Sequence, residues 1–251
     1  MANIATPVFL NSLKAIYPTG GPSTTAYPGA LPNPWAIVTA VAFNASNIPE
    51  AIPIVFKHAL NELVAEQQAK GISGDAAHQE QLALTRKIRE SVFQGGLVGG
   101  MSKTINSLIA LHEATPENLR ETKTLRNTNT HLSNFDKRGE ERFRAMYRET
   151  ADSVQALLDS AYPDLGWFST TVGYGITYGG TDVLSQVESS YTLVAALVAV
   201  DTPRQVGWHL ASARRGGADL AEVRAVRAIA IEVARAAGVR WRNQVPEVEE
   251  P

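Results

Sequence analysis

ESSYTLVAALVAVDTPRQVGWHLASARRGG, residues 188–217, is the stretch from which the fold is read. From Glu188 to Val200 almost every position is apolar, a run too long for a typical strand and too short to cross a bilayer. It predicts a core helix. Thr202, Pro203 and Gln205 then spell a helix start: a threonine cap, proline at the first helical position where its missing N–H costs nothing, and glutamine three residues after the cap. Along the second helix Val206 is followed at three, four and seven residues by His209, Leu210 and Ala213. His209 therefore shares a face with aliphatic side chains and is expected to be mostly buried. Arg214 and Arg215 put positive charge in the last turn, where the helix dipole favours it, and Gly216-Gly217 ends the helix.

The remaining composition narrows the class. A chain of 251 residues with 44% hydrophobic content can bury one large core or two small ones. A formal net charge of -2 and a sequence pI near 6.2 give no sign of a polyanionic partner, so neither nucleic acid nor a membrane is expected. There is no cysteine, which removes disulfides, thiolate metal sites and thiol redox chemistry together. The first residues lack the positive start and cleavage site of a secretory signal and are poor in the basic residues of a transit peptide. The expected location is cytoplasmic.

Taken in order, residues 1–34 form an N-terminal arm: a short amphipathic piece from Val8 to Ile16, then a Pro/Gly/Thr-rich segment to Pro34, expected to run over a surface or a neighbour. Trp35 to Phe43 reads as an apolar helix. Asn47-Ile48-Pro49-Glu50 is a capped start for a helix to about Gln68, and Asp75 can cap another through Leu84, Ile88 and Phe93. The cluster Gly95-Gly96-Leu97-Val98-Gly99-Gly100 fits neither dinucleotide nor P-loop spacing, and no strand precedes it, so close helix packing is the reading adopted. Residues 113–137 are a polar connection. Helical period returns from Arg138 to Leu158, and the aromatic, glycine-rich stretch from Tyr162 to Gly180 is expected to line a pocket. Asp219 and Glu222 make a second capping pair for a helix reaching Gly238, and residues 243–251 form an acidic tail expected to be disordered.

Setting Pro49 against Pro203 aligns two halves: apolar helix, capped proline turn, second helix ending at Ala59 or Ala213. With a different offset, Arg86, Arg89 and Gly100 meet Arg224, Arg227 and Gly238, which predicts an all-α protein of two related helical units. In this alignment His209 faces Val55 and Glu188 faces Pro34, so the first copy lacks the ionisable groups. Glu188 opening an apolar helix, Pro203 to His209, Gly216-Gly217, Asp219-x-x-Glu222, Arg138-Gly139-Glu140 and Tyr174-Gly175 together resemble the carboxymuconolactone decarboxylase and AhpD-like superfamily. The likeness covers residues 138–242, with 35–112 as a degenerate copy. It implies an AhpD-like helical fold and assembly as a homo-oligomer, here a dimer or trimer. Hydroperoxidase members carry a cysteine pair where this chain has Thr202 and Gln205, and a hydroxyl and an amide cannot cycle through a disulfide.

The resemblance implies a cofactor-free, metal-free enzyme acting by proton transfer on a small acidic or lactone metabolite. His209 would be the general acid/base, Glu188 its partner, Tyr178 and Trp208 pocket walls, and Arg204 or Arg214 the binder of a substrate carboxylate. Each residue has a plainer reading: His209 a packed core histidine, Glu188 a first-turn acid complementing the helix dipole, the arginines solvated or at a subunit contact. The remaining histidines, His58, His78, His112 and His131, show no metal-ligand spacing. The alternative function is a non-catalytic binding or structural relative. A pocket joining Glu188 and His209 would favour the enzyme; a sealed imidazole would favour the relative.

Overall fold

A computed structural model describes residues 4–20 and 29–249. The described residues are helical with no strand: α1 (Pro7–Ile16), α2 (Trp35–Ala45), α3 (Ile52–Lys70), α4 (Gly74–Gly99), α5 (Met101–Ala114), α6 (Leu132–Tyr147), α7 (Ala151–Ala161) and α8 (Pro163–Trp167) come first. A π-helix (Phe168–Tyr178), α9 (Gln186–Ala199), α10 (Pro203–Arg215) and α11 (Leu220–Ala236) follow. None is long and apolar enough to cross a membrane. Part of the Pro/Gly-rich arm, residues 21–28, lies outside the described residues.

Every residue of α2 is buried, and all of α9 beyond Gln186 is buried too. A helix apolar on all sides has no solvent face and must sit in the middle of the molecule. The two pack side by side, and each also packs against both α4 and α11. α3 then covers α2 and α4, while α10 covers α9 and α11. α6 and the π-helix pack on each other beside α10, and their backbones nearly touch: a Cβ at Gly139 would lie 2.1 Å from the Thr170 carbonyl oxygen.

The turns leading into α3 and α10 have the same backbone. Asn47 and Asp201 both adopt the left-handed region, with φ of 62° and 57°. Asn and Asp are the non-glycine residues that tolerate it best. Ile48 (φ -117°, ψ 66°) and Thr202 (φ -116°, ψ 74°) follow, and each donates its N–H five residues back, to Phe43 O at 3.0 Å and Leu197 O at 3.3 Å. This closes the preceding helix in the Schellman manner, and proline then opens the next. Thr202 is consequently not the side-chain cap that its position suggests. Its hydroxyl also turns back to Leu197 O, at 3.3 Å, and serves the helix before it.

Other boundaries shift for local reasons. α4 starts at Gly74 after Ser73, placing Asp75 inside the first turn, and runs through the glycine cluster until Gly100, whose φ of 118° breaks it. The glycines allow contact: a Cβ at Gly95 would come within 2.6 Å of Val41 Cγ1, and one at Gly96 within 2.3 Å of Thr104 Oγ1. The helical period from Arg138 to Leu158 is divided at Arg148, where φ is 46°. Residues 243–249 are packed, against the expectation of disorder. Arg227 donates to the carbonyls of Val245 (2.9 Å) and Pro246 (2.5 Å) and to Glu247 (2.5 Å), and Val248 is buried. The two apolar valines supply the burial that an acidic composition conceals.

Glycine substitutions should therefore have opposite signs along the chain. Gly96→Ala must displace Thr104 and should cost about 1–3 kcal/mol in urea unfolding. Gly207→Ala, in α10 with nothing within 4 Å of the added carbon, should gain about 0.4–1 kcal/mol by restricting the unfolded chain.

Candidate functional site

α10 presents His209 toward α6, where Phe143 and Tyr147 lie one turn apart. The imidazole is 5% exposed, its centroid is 6.2 Å from the Tyr147 ring, and its Nδ1 is buried without a hydrogen-bond partner among the described residues. Tyr147 also meets Phe143 at 4.5 Å and Trp208 at 6.0 Å. Tyr174 of the π-helix donates its hydroxyl proton to the Tyr147 oxygen at 3.0 Å and packs on Tyr178 at 5.3 Å. Burial favours the neutral form of each group. It pushes the hydroxyls of Tyr147, Tyr174 and Tyr178 above the ordinary tyrosine range and pulls His209 down to about 4. At neutral pH the cluster is uncharged, with an unprotonated imidazole.

Glu188 is elsewhere in its bonding. Ser185 and Glu188 form a capping box at the start of α9, with Glu188 N donating to Ser185 Oγ at 3.2 Å and Ser185 N donating to Oε2 at 2.9 Å. Lys87, reaching from α4, donates to both carboxylate oxygens at 2.8 and 2.6 Å, and its third proton goes to Val183 O at 3.0 Å. Leu31 N adds a bond to Oε1 at 3.1 Å. The pair is buried, with the lysine and glutamate side chains 10% and 3% exposed. No hydrogen bond joins Glu188 to His209, so the structure does not assemble these two as an acid–base couple. Lys87 was not singled out from the sequence. Its signal was there, as one lysine within the apolar stripe of Leu84, Ile88 and Val92.

Two of the anticipated pocket residues do meet in one place. A cleft of 1010 Å³ lies between α7, α10 and residues 246–249, with Trp208 and Arg214 on its wall beside Arg215 and Leu157. Trp208 separates it from Tyr147, and His209 lies against the same tyrosine ring. Arg215 pairs with Glu149 at 2.6 Å, whereas Arg214 donates only to the Ala218 carbonyl, at 2.8 Å. Arg204 is exposed on the first turn of α10 and does not line this cleft; Tyr178 is sealed in the aromatic cluster. Among the described residues, no three His, Asp or Glu side chains are grouped to hold a metal ion.

No protein-family model matches the chain. Peroxisomal protein 2 of Saccharomyces cerevisiae is 27% identical over 263 aligned positions, covering 86% of this chain and 92% of that protein. Peroxisomal protein 2 of Schizosaccharomyces pombe is 26% identical over 209 positions, covering 83% of this chain and 89% of its own length.

Two measurements check the electrostatics. Lys87→Met leaves the Glu188 carboxylate buried and uncompensated and should cost about 3–5 kcal/mol; adding Glu188→Gln, which keeps the capping geometry, should recover much of it. For His209, the unfolded chain binds a proton near pH 6.5 that the folded chain refuses until about pH 4. Stability therefore rises with pH in that window, and about 3 kcal/mol from this group is lost as pH falls through it. In His209→Gln that part of the slope should vanish from denaturation curves taken between those values.

Proposed function

We propose that the chain is a cysteine-free, AhpD-like helical protein of two related units that binds a small acidic or lactone metabolite in the cleft between α7, α10 and the tail. The observation that carries the binding reading is the cleft itself: a tryptophan wall and Arg214 without a carboxylate partner among the described residues, with Tyr147 packed on the tryptophan and the His209 imidazole against that same tyrosine ring. Aromatic walls with a few convergent polar groups are what a small-molecule site needs. Support for two related units comes from the matching turns at Asn47 and Asp201 and from the equivalent places of α2 and α9 at the centre.

A second reading makes the protein an enzyme, with His209 transferring a proton to or from the bound molecule. The unsatisfied Nδ1 favours it, since a buried polar atom without a partner calls for an explanation. Against it stand the commitment of Glu188 to Lys87 and the weak basicity of an imidazole drawn down to about 4. Binding without turnover is the reading that the geometry supports better. With no cysteine in the chain, thiol peroxidase activity belongs to neither.

The names of the two relatives extend the proposal to location, in favour of the peroxisome over the cytoplasm. Assembly as a dimer or trimer is supported by an exposed apolar stripe on α5, Met101, Ile105 and Ile109, which recur every fourth residue.

Calorimetric titration with muconolactone tests the binding site. Trp208→Ala should weaken binding at least tenfold, with melting temperature measured alongside. If wild-type protein turns the lactone over and His209→Ala slows it by about 10²–10⁴-fold, the enzymatic reading replaces the binding one. Unchanged affinity in Trp208→Ala would remove the cleft from consideration. Light scattering that gives a monomer at micromolar concentration would end the oligomer reading, and a fluorescent fusion outside peroxisomes the assignment of location.

A further inference from the structure

A second cavity, of 580 Å³, opens between the middle of α4, the first turns of α6, the coil at 125–130 and residues 180–183. Its volume lies within the range of about 300–1,000 Å³ usual for small-molecule sites. The wall carries Arg86, Lys87, Arg138 and a single carboxylate, Asp182. Lys87 has spent its three protons on Glu188 and Val183 O, and Arg86 donates Nε to Glu121 at 2.5 Å. Arg138 is different: NH1 donates to Gly179 O at 2.9 Å, and no carboxylate among the described residues pairs with it.

One turn along α6 from Arg138, Arg142 is also without a carboxylate partner. NH2 donates to Ser189 Oγ at 2.9 Å and its buried Nε has no partner among the described residues. The negative charges that act on it are Asp182 and Glu90, and Glu90 is already held by Arg126 at 2.5 Å. Of the nearby carboxylates, Glu188, Glu121 and Glu90 are taken by Lys87, Arg86 and Arg126, which leaves Arg138 as the wall cation without an ion-pair partner among the described residues. Arg138 is therefore the group on the wall free to take an anion.

Two further features define the ligand. Thr181 on the cavity wall is 8% exposed, and its hydroxyl has no hydrogen-bond partner among the described residues. Phe135, Leu125 and Val183 supply an apolar side to the same space. A guanidinium with a free edge matches the two oxygens of a carboxylate in a way that a point charge cannot. We propose that this cavity binds a small monocarboxylate with an apolar body, its carboxylate on Arg138 with Thr181 as a second hydrogen-bonding group, and its body against Phe135 and Leu125. The site is separate from the cleft at Trp208 and does not depend on the function proposed for that cleft.

Titration of the full chain with benzoate tests it, using benzamide as the uncharged equivalent and inorganic phosphate as the more highly charged oxyanion. Benzoate should bind saturably, benzamide at least tenfold more weakly, and phosphate more weakly than benzoate. Arg138→Met should reduce benzoate affinity at least tenfold, and Thr181→Val by about fivefold, the size of one hydrogen bond. Should Arg138→Met fail to fold, Arg138→Lys keeps the charge, loses the fork and should still weaken benzoate binding. Trp208→Ala should leave benzoate affinity unchanged. The proposal is overturned if benzoate does not bind at millimolar concentration, if benzamide matches it, if phosphate binds more tightly, or if the Arg138 and Thr181 variants bind as wild type does. Loss of benzoate binding in Trp208→Ala with retention in Arg138→Met would place the acid in the other cleft, overturning this site while supporting that one.

Discussion

The Glu188 carboxylate ties together parts of the chain that are far apart in sequence. It caps its own helix through Ser185, takes two protons from Lys87 on α4 and receives the backbone N–H of Leu31 at the end of the arm. α4 and α9 pack directly on each other, so the pair also ties their registers together. Burying it has a cost that the mutual attraction only partly offsets, and removing either member leaves a stranded charge. The carboxylate accepts four hydrogen bonds, two of them from Lys87, and this satisfaction is what makes a buried charge tolerable.

On the two-unit reading this pair also breaks the symmetry between the halves. Glu188 aligns with Pro34, and the Arg86–Arg224 register sets Lys87 against Ala225. The second half has the acid where the first has proline, and the first has the lysine where the second has a buried alanine. The hydrophobic framework and the left-handed turn residues are kept in both, because a helix core and a Schellman closure impose the same demands wherever they occur. Ionisable groups face no such demand. They can differ between copies without altering the packing.

That division explains what could be read from the sequence. Apolar period and turn chemistry are local, so the helical class, the burial of His209, the proline starts and the Asp219–Glu222 capping box were all visible in short stretches. Partners are not local. Nothing near Glu188 in sequence names Lys87, which is about a hundred residues away, and only its place on an apolar stripe marked it as unusual. Thr202 misled for a related reason: its residue type suits a cap, but the preceding helix needed its hydroxyl more. The tail misled by composition, since its acidic residues outnumber the two valines that bury it.

The chemistry open to His209 follows from its neighbours. Burial keeps the surrounding tyrosines protonated and the imidazole unprotonated, so the aromatic cluster contributes no net charge. Without a carboxylate to stabilise imidazolium, a proton accepted there would have to be balanced by the ligand that supplied it. Proton transfer works best between groups of matched acidity. A ligand that carries a carboxylate would bring that counter-charge beside the ring and draw the imidazole back up from about 4, whereas an uncharged ligand leaves it a weak base whose Nδ1 is better suited to a hydrogen bond than to proton transfer.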